Sequence, residues 1–131
     1  MTVELRMLIL SVVLGIVQIV AASHAASLQR GYRWTASPRD DKVEPLRGVA
    51  GRLDRALRNF VETFPLFAAA VLAAHLTDTH NALTEWGARL YFLGRVAYVL
   101  LYATGIPLIR SLMWNVATIG IVLLVAALLL G

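Results

Sequence analysis

The sequence contains no cysteine. Disulfides, thiolate nucleophiles and Cys-ligated zinc or iron–sulfur sites are therefore excluded. The redox compartment stays open, because a chain without thiols suits either environment. Charge is scarce too. Only 15% of residues are charged, against about a quarter in a typical soluble domain. With 59% hydrophobic residues and a mean hydropathy of +0.71, this shortage excludes a disordered chain and argues against a soluble one. His24, His75 and His80 show no ligand spacing, so no metal site is expected. The length of 131 residues allows one domain. A net charge of +4 on so apolar a chain points to a membrane, not to nucleic acid.

The few charges are uneven. Residues Arg30 to Arg58 hold 12 of the 20 charged side chains, and eight of these are Arg or Lys. Elsewhere the chain is nearly all apolar. A bilayer core needs about 20 apolar residues as helix, and four stretches qualify: about 5–26, 59–76, 83–103 and 112–130. They are separated by a long polar loop (about 28–54), a short link (77–82) and a very short one (104–111) that contains Gly105 and Pro107. Short links favour antiparallel neighbours. The expected fold is all-α, a four-helix up-down transmembrane bundle forming one domain over residues 1–131.

The N-terminus also reads as a signal peptide, with a basic residue, an apolar run and small residues at Ala22, Ser23 and Ala25. The run is long for a signal, and Glu4 is unusual in such a leader, so a retained first helix is the simpler reading. Basic residues set orientation. The first and third loops carry nine Arg or Lys, and the opposite side carries Arg6 and Arg89. That bias places the long loop in the cytoplasm.

Ionisable residues inside spans are expensive, so each is a candidate for function. Arg55, Asn59 and Glu62 share one helical face at i, i+4 and i+7. Tyr91, Arg95, Tyr98 and Tyr102 share another over three turns, and Arg110 follows the Gly105–Pro107 break. Structural readings compete with functional ones. Arg58 suits a snorkelling girdle or a surface pair with Asp54 or Glu62. Tyr98 and Tyr102 suit an interfacial belt, as do Trp34, Trp86 and Trp114. Glu62 and Arg95 suit a buried ion pair, and Pro65 suits a kink. A small bundle cannot satisfy the whole stripe internally. The expectation is a small anionic ligand at a subunit seam, since Arg suits bidentate carboxylate recognition. A transporter is disfavoured by short loops and the lack of a discontinuous helix pair.

At these residues the chain resembles the MAPEG family, the membrane-associated proteins in eicosanoid and glutathione metabolism. Arg55-Ala56, Asn59 and Glu62, followed by an apolar run with Pro65, is similar to the signature opening the family's second helix. Gly94-Arg95-Val96-Ala97-Tyr98, then Tyr102, Pro107 and Arg110-Ser111, resembles the later region. The likeness covers the whole chain, and its long loop with Gly48 and Gly51 is similar to that of a bacterial branch.

The resemblance implies a homotrimer in a bacterial inner membrane. It implies glutathione as cosubstrate, bound between protomers near the cytoplasmic side. Arg55, Asn59 and Glu62 would hold its polar ends, Tyr98 and Tyr102 would touch it, Arg95 would lie beside them, and Arg30 would border the site. Arg110 would stabilise the thiolate for transferase or peroxidase chemistry on small lipophilic substrates. Two departures stand out. Glutathione-binding members often have a polar residue where Leu57 stands and Tyr where Thr63 stands. A non-catalytic trimer binding a lipid or other small anion is the alternative implied by the same family.

Overall fold

A computed structural model describes residues 1–131. The chain forms five helices and no strands: α1 (Val3–Arg30), α2 (Tyr32–Ala36), α3 (Gly48–Leu76), α4 (Ala82–Ala103) and α5 (Pro107–Leu130). The ends of the long helices follow local chemistry. Thr2 caps α1, its hydroxyl accepting from the Leu5 amide at 3.2 Å. Asn81 and Thr84 form a capping box at the start of α4. Proline opens α5, where its missing N–H costs nothing. Gly105, at φ +79°, lets the chain reverse between α4 and α5.

α1, α3 and α5 are long and apolar enough to cross a membrane. They account for the first, second and fourth of the expected spans. α4, with 22 residues, occupies the expected third but also carries Thr84, Glu85, Arg89 and Arg95. Three boundaries differ from expectation. α3 begins at Gly48 instead of Asn59, and α1 runs to Arg30, so the long loop is shorter than 28–54 and contains α2; α5 begins at Pro107 instead of 112, so the last link is shorter than 104–111. The added turns of α3 are amphipathic. Ala50, Gly51 and Ala56 are buried while Arg55 and Arg58 face outward, so a search for continuous apolar sequence passes over them. The helix continues through Pro65.

The packing places α3 and α4 at the centre, with α1 touching both and α5 touching both. α1 and α5 do not meet. The core joins Leu8, Phe60, Phe67, Val71, Ala88, Tyr91, Ala117 and Leu124. Phe67 and Tyr91 stack with ring centroids 4.0 Å apart. α4 and α5 share the largest interface, and glycines allow it. A Cβ on Gly87 would stand 2.6 Å from the Gly120 carbonyl oxygen, and one on Gly120 would strike the Gly87 carbonyl. Outside the core, Ile16, Val17, Leu72, Ile119 and Val122 are exposed. Apolar surface on this scale fits lipid, not water.

The two ends of the bundle differ. At one end the N-terminus of α1 meets the turn between α3 and α4. Glu4, only 2% exposed, lies 2.6 Å from His80, Glu4 Oε2 to His80 Nδ1. At the other end are the long loop, α2 and the α4–α5 turn. There Arg52 Nε donates to the Ala103 carbonyl at 3.0 Å, tying α3 to the end of α4.

Candidate anion-binding cavity

The candidate site lies at the loop-bearing end, where α3, α4 and α5 converge. Asn59 comes from α3, Tyr98 and Tyr102 from α4, and Arg110, Ser111, Trp114 and Asn115 from α5. Together they line a cavity of about 310 Å³. Tyr98 and Tyr102 are one helical turn apart and meet edge-on, with centroids 5.6 Å apart at 68°. Arg110 rests over the Tyr102 ring, its Cζ 4.3 Å from the centroid. Arg55 approaches the same tyrosine and donates from Nε to Tyr102 Oη at 3.2 Å. Two guanidinium groups thus flank one phenol. Neither forms an ion pair, and no carboxylate lines the cavity.

Arg95 has a different part. It is 1% exposed, one turn below Tyr98, with its Cζ 4.3 Å from that ring. Its Nη1 donates to Asn59 Oδ1 at 2.8 Å, while its Nε has no partner. Asn59 therefore both lines the cavity and holds a buried cation. Arg95 does not pair with Glu62, which is exposed and bonds to nothing in the chain. The Arg58 surface pair falls on Asp54, at 3.2 Å.

Of the sequence-identified residues, Arg55, Asn59, Arg95, Tyr98, Tyr102 and Arg110 come together. Glu62, one turn after Asn59 on α3, is exposed and does not line the cavity. Arg30 faces a separate hollow, where it lies over Trp34 and donates from Nη2 to the Glu44 carbonyl at 3.0 Å. It shares the rim of a further hollow with Asp54, Arg55 and Arg58. Tyr91 belongs to the core: it is fully buried against Phe67, and its hydroxyl lies 3.0 Å from that of Thr63. The divergent Thr63 thus has a packing role here.

Sequence reasoning passed over Asn115. Its signal was available, since it is a polar residue four positions after Ser111 within an apolar span. Asn115 Nδ2 donates to the Ser111 carbonyl at 3.0 Å. Trp114, read as an interfacial anchor, lines the cavity wall.

Long apolar helices, lipid-facing apolar surface and a polar cavity at one end define an all-helical membrane protein. A family model, described as the MAPEG family, matches residues 7–130. The chain belongs to the MAPEG family, which includes both glutathione-dependent transferases or peroxidases and non-catalytic members. No curated protein and no solved structure matches it.

Proposed function

We propose that this chain binds glutathione in the Asn59–Tyr102–Arg110 cavity and uses it as a thiol cosubstrate against lipophilic electrophiles. The observation carrying the reading is the pair of unpaired guanidinium groups, Arg55 and Arg110, on either side of Tyr102 with no carboxylate in the cavity. Such a site favours an anion. Its volume of about 310 Å³ sits at the small end of ligand pockets. A tripeptide would extend beyond it, which supports a site completed by a neighbouring copy in a homotrimer. The exposed Glu62, and Arg30 across the long loop, are then available to the part of the ligand outside this cavity. In this reading α4 is the fourth membrane crossing, and the long loop faces the cytoplasm of a bacterial inner membrane.

The chemistry follows from the residues. A free thiol has a pKa near 8.5, and the thiolate is the nucleophile. The Arg110 guanidinium stabilises the thiolate but, lacking a lone pair, cannot take the proton, which leaves to water. The thiolate sulfur then bonds to the electrophilic carbon as the leaving group departs with its electron pair. Arg55 and Asn59 orient the ligand's polar ends, and Arg95 keeps Asn59 in place. An apolar electrophile enters from the lipid side.

Arg110→Ala should abolish conjugation and largely spare glutathione binding. Binding is read as thermal stabilisation of the detergent-solubilised protein. A Kd near 1 mM predicts about 1.4 kcal/mol at tenfold excess. An unchanged conjugation rate in Arg110→Ala would overturn the role of Arg110. Thr63 and Leu57 favour a second reading, a non-catalytic trimer of the same fold binding a lipid or other anion. Thr63 is engaged with Tyr91, and Leu57 offers no hydrogen bond. Under this reading millimolar glutathione gives no shift, and alanine at Arg55 or Arg110 disrupts assembly.

A further inference from the structure

A second positively charged cavity lies at the corner where α1 turns into α2, and it shares no lining residue with the Tyr102 cavity. Its volume is about 210 Å³. Gly31, at φ +95°, makes the corner. Ser27 and Thr35 lock it, with their hydroxyl oxygens 2.7 Å apart. The Arg30 and Arg39 guanidinium groups both stack on Trp34, at 4.8 and 5.0 Å from its centroid. Two donors at this corner, Arg30 Nε and Trp34 Nε1, are shielded from solvent and have no acceptor in the chain. Orphaned buried donors are costly and call for an acceptor. The one carboxylate at the cavity, Asp54, is engaged by Arg58 at 3.2 Å.

We propose that this corner binds the oxyanion of a phosphate group, which accepts from Arg30 Nε and Trp34 Nε1 and is neutralised by Arg30 and Arg39. The same chemistry is offered by an anionic phospholipid headgroup and by free phosphate. The lining continues up α1 along the small residues Ala22, Ser23 and Ala26 and across to Leu57. A phosphate at the polar end with an apolar trough beyond it matches an amphiphile lying at the membrane surface. The corner shares Arg30 with the glutathione reading, whereas Trp34 and Arg39 belong to the corner alone.

The test is native mass spectrometry of the full chain in detergent with phosphatidylglycerol or phosphatidylcholine. Isothermal titration with inorganic phosphate against chloride at equal ionic strength accompanies it. Phosphatidylglycerol should be retained in preference to phosphatidylcholine. Trp34→Phe keeps the ring and removes only the indole donor, and Arg30→Gln removes the charge. Each should lower retention about tenfold, the effect of losing one hydrogen bond to a charged acceptor, while Arg110→Ala leaves it unchanged. Phosphate binding lost in Trp34→Phe, with no lipid preference, identifies the occupant as free phosphate. Equal retention of both lipids with no phosphate binding overturns the proposal. So does retention unchanged in Trp34→Phe, which remains informative should Arg30→Gln fail to fold. Displacement of the bound lipid by millimolar glutathione would merge the two cavities and overturn a separate site.

Discussion

Arg95 shows how one side chain can organise a site it barely reaches. Its guanidinium is buried, stacked on Tyr98 and hydrogen-bonded to Asn59. Removing one partner of a buried charge leaves the other uncompensated, so Asn59→Ala should destabilise the protein by about 1.5–3 kcal/mol. Chemical denaturation checks this, and an unchanged midpoint would show that Asn59 is not needed by Arg95. Gln18 is the contrasting case. Both its amide atoms are buried with no partner, so it carries a desolvation cost with no bond to offset it. Gln18→Leu is expected to leave the melting temperature unchanged or raise it. A marked fall would mean that the amide is hydrogen-bonded to ordered water.

Among elements, the α4–α5 hairpin is the tightest unit. Its close approach depends on Gly87 and Gly120 facing each other's carbonyls, and on Gly94, where a Cβ would meet the Ala117 backbone nitrogen at 3.0 Å. Backbone cannot swing aside, so Gly120→Ala should force the helices apart at about 1–3 kcal/mol, read as a lower thermal midpoint. Gly15→Ala, on α1, should be milder. Its Cβ would meet only the Phe60 ring, at 2.9 Å from Cε1, and a ring can rotate away. Equal losses in the two variants would contradict this account.

The hairpin also marks what the sequence left unread. Helical spacing disclosed the stripe of Arg95, Tyr98 and Tyr102, because three turns of one face repeat at known intervals. It could not reveal that Tyr91 leaves that stripe for the core, since the deciding partners, Phe67 and Thr63, lie on another helix. Nor could it reveal the early start of α3, where the apolar face is narrow and built from alanine and glycine. Arg55 and Arg110 are 55 positions apart in sequence, so their meeting over Tyr102 is a product of packing alone.

For the whole molecule, the charge asymmetry seen in the sequence becomes a spatial one. The cavity, the α1–α2 corner and most of the arginines occupy one end, and the Glu4–His80 contact and both termini occupy the other. The predicted orientation can be tested directly, because the chain has no cysteine. Asp41→Cys and Thr79→Cys would each introduce a single thiol at opposite ends. In inverted inner-membrane vesicles an impermeant maleimide should label the first and not the second. The reverse pattern would place the long loop outside the cytoplasm.

The contact between Glu4 and His80 also bears on how the chain is made. Glu4 leaves the ribosome before its partner, which follows only after two long helices have been synthesised. Until then a carboxylate destined for burial must remain hydrated at the membrane surface. α1 therefore cannot take its final seat before the turn after α3 emerges, whereas α4 and α5, adjacent in sequence, can pair as soon as both are inserted. The bundle's first helix is among the last to be fastened.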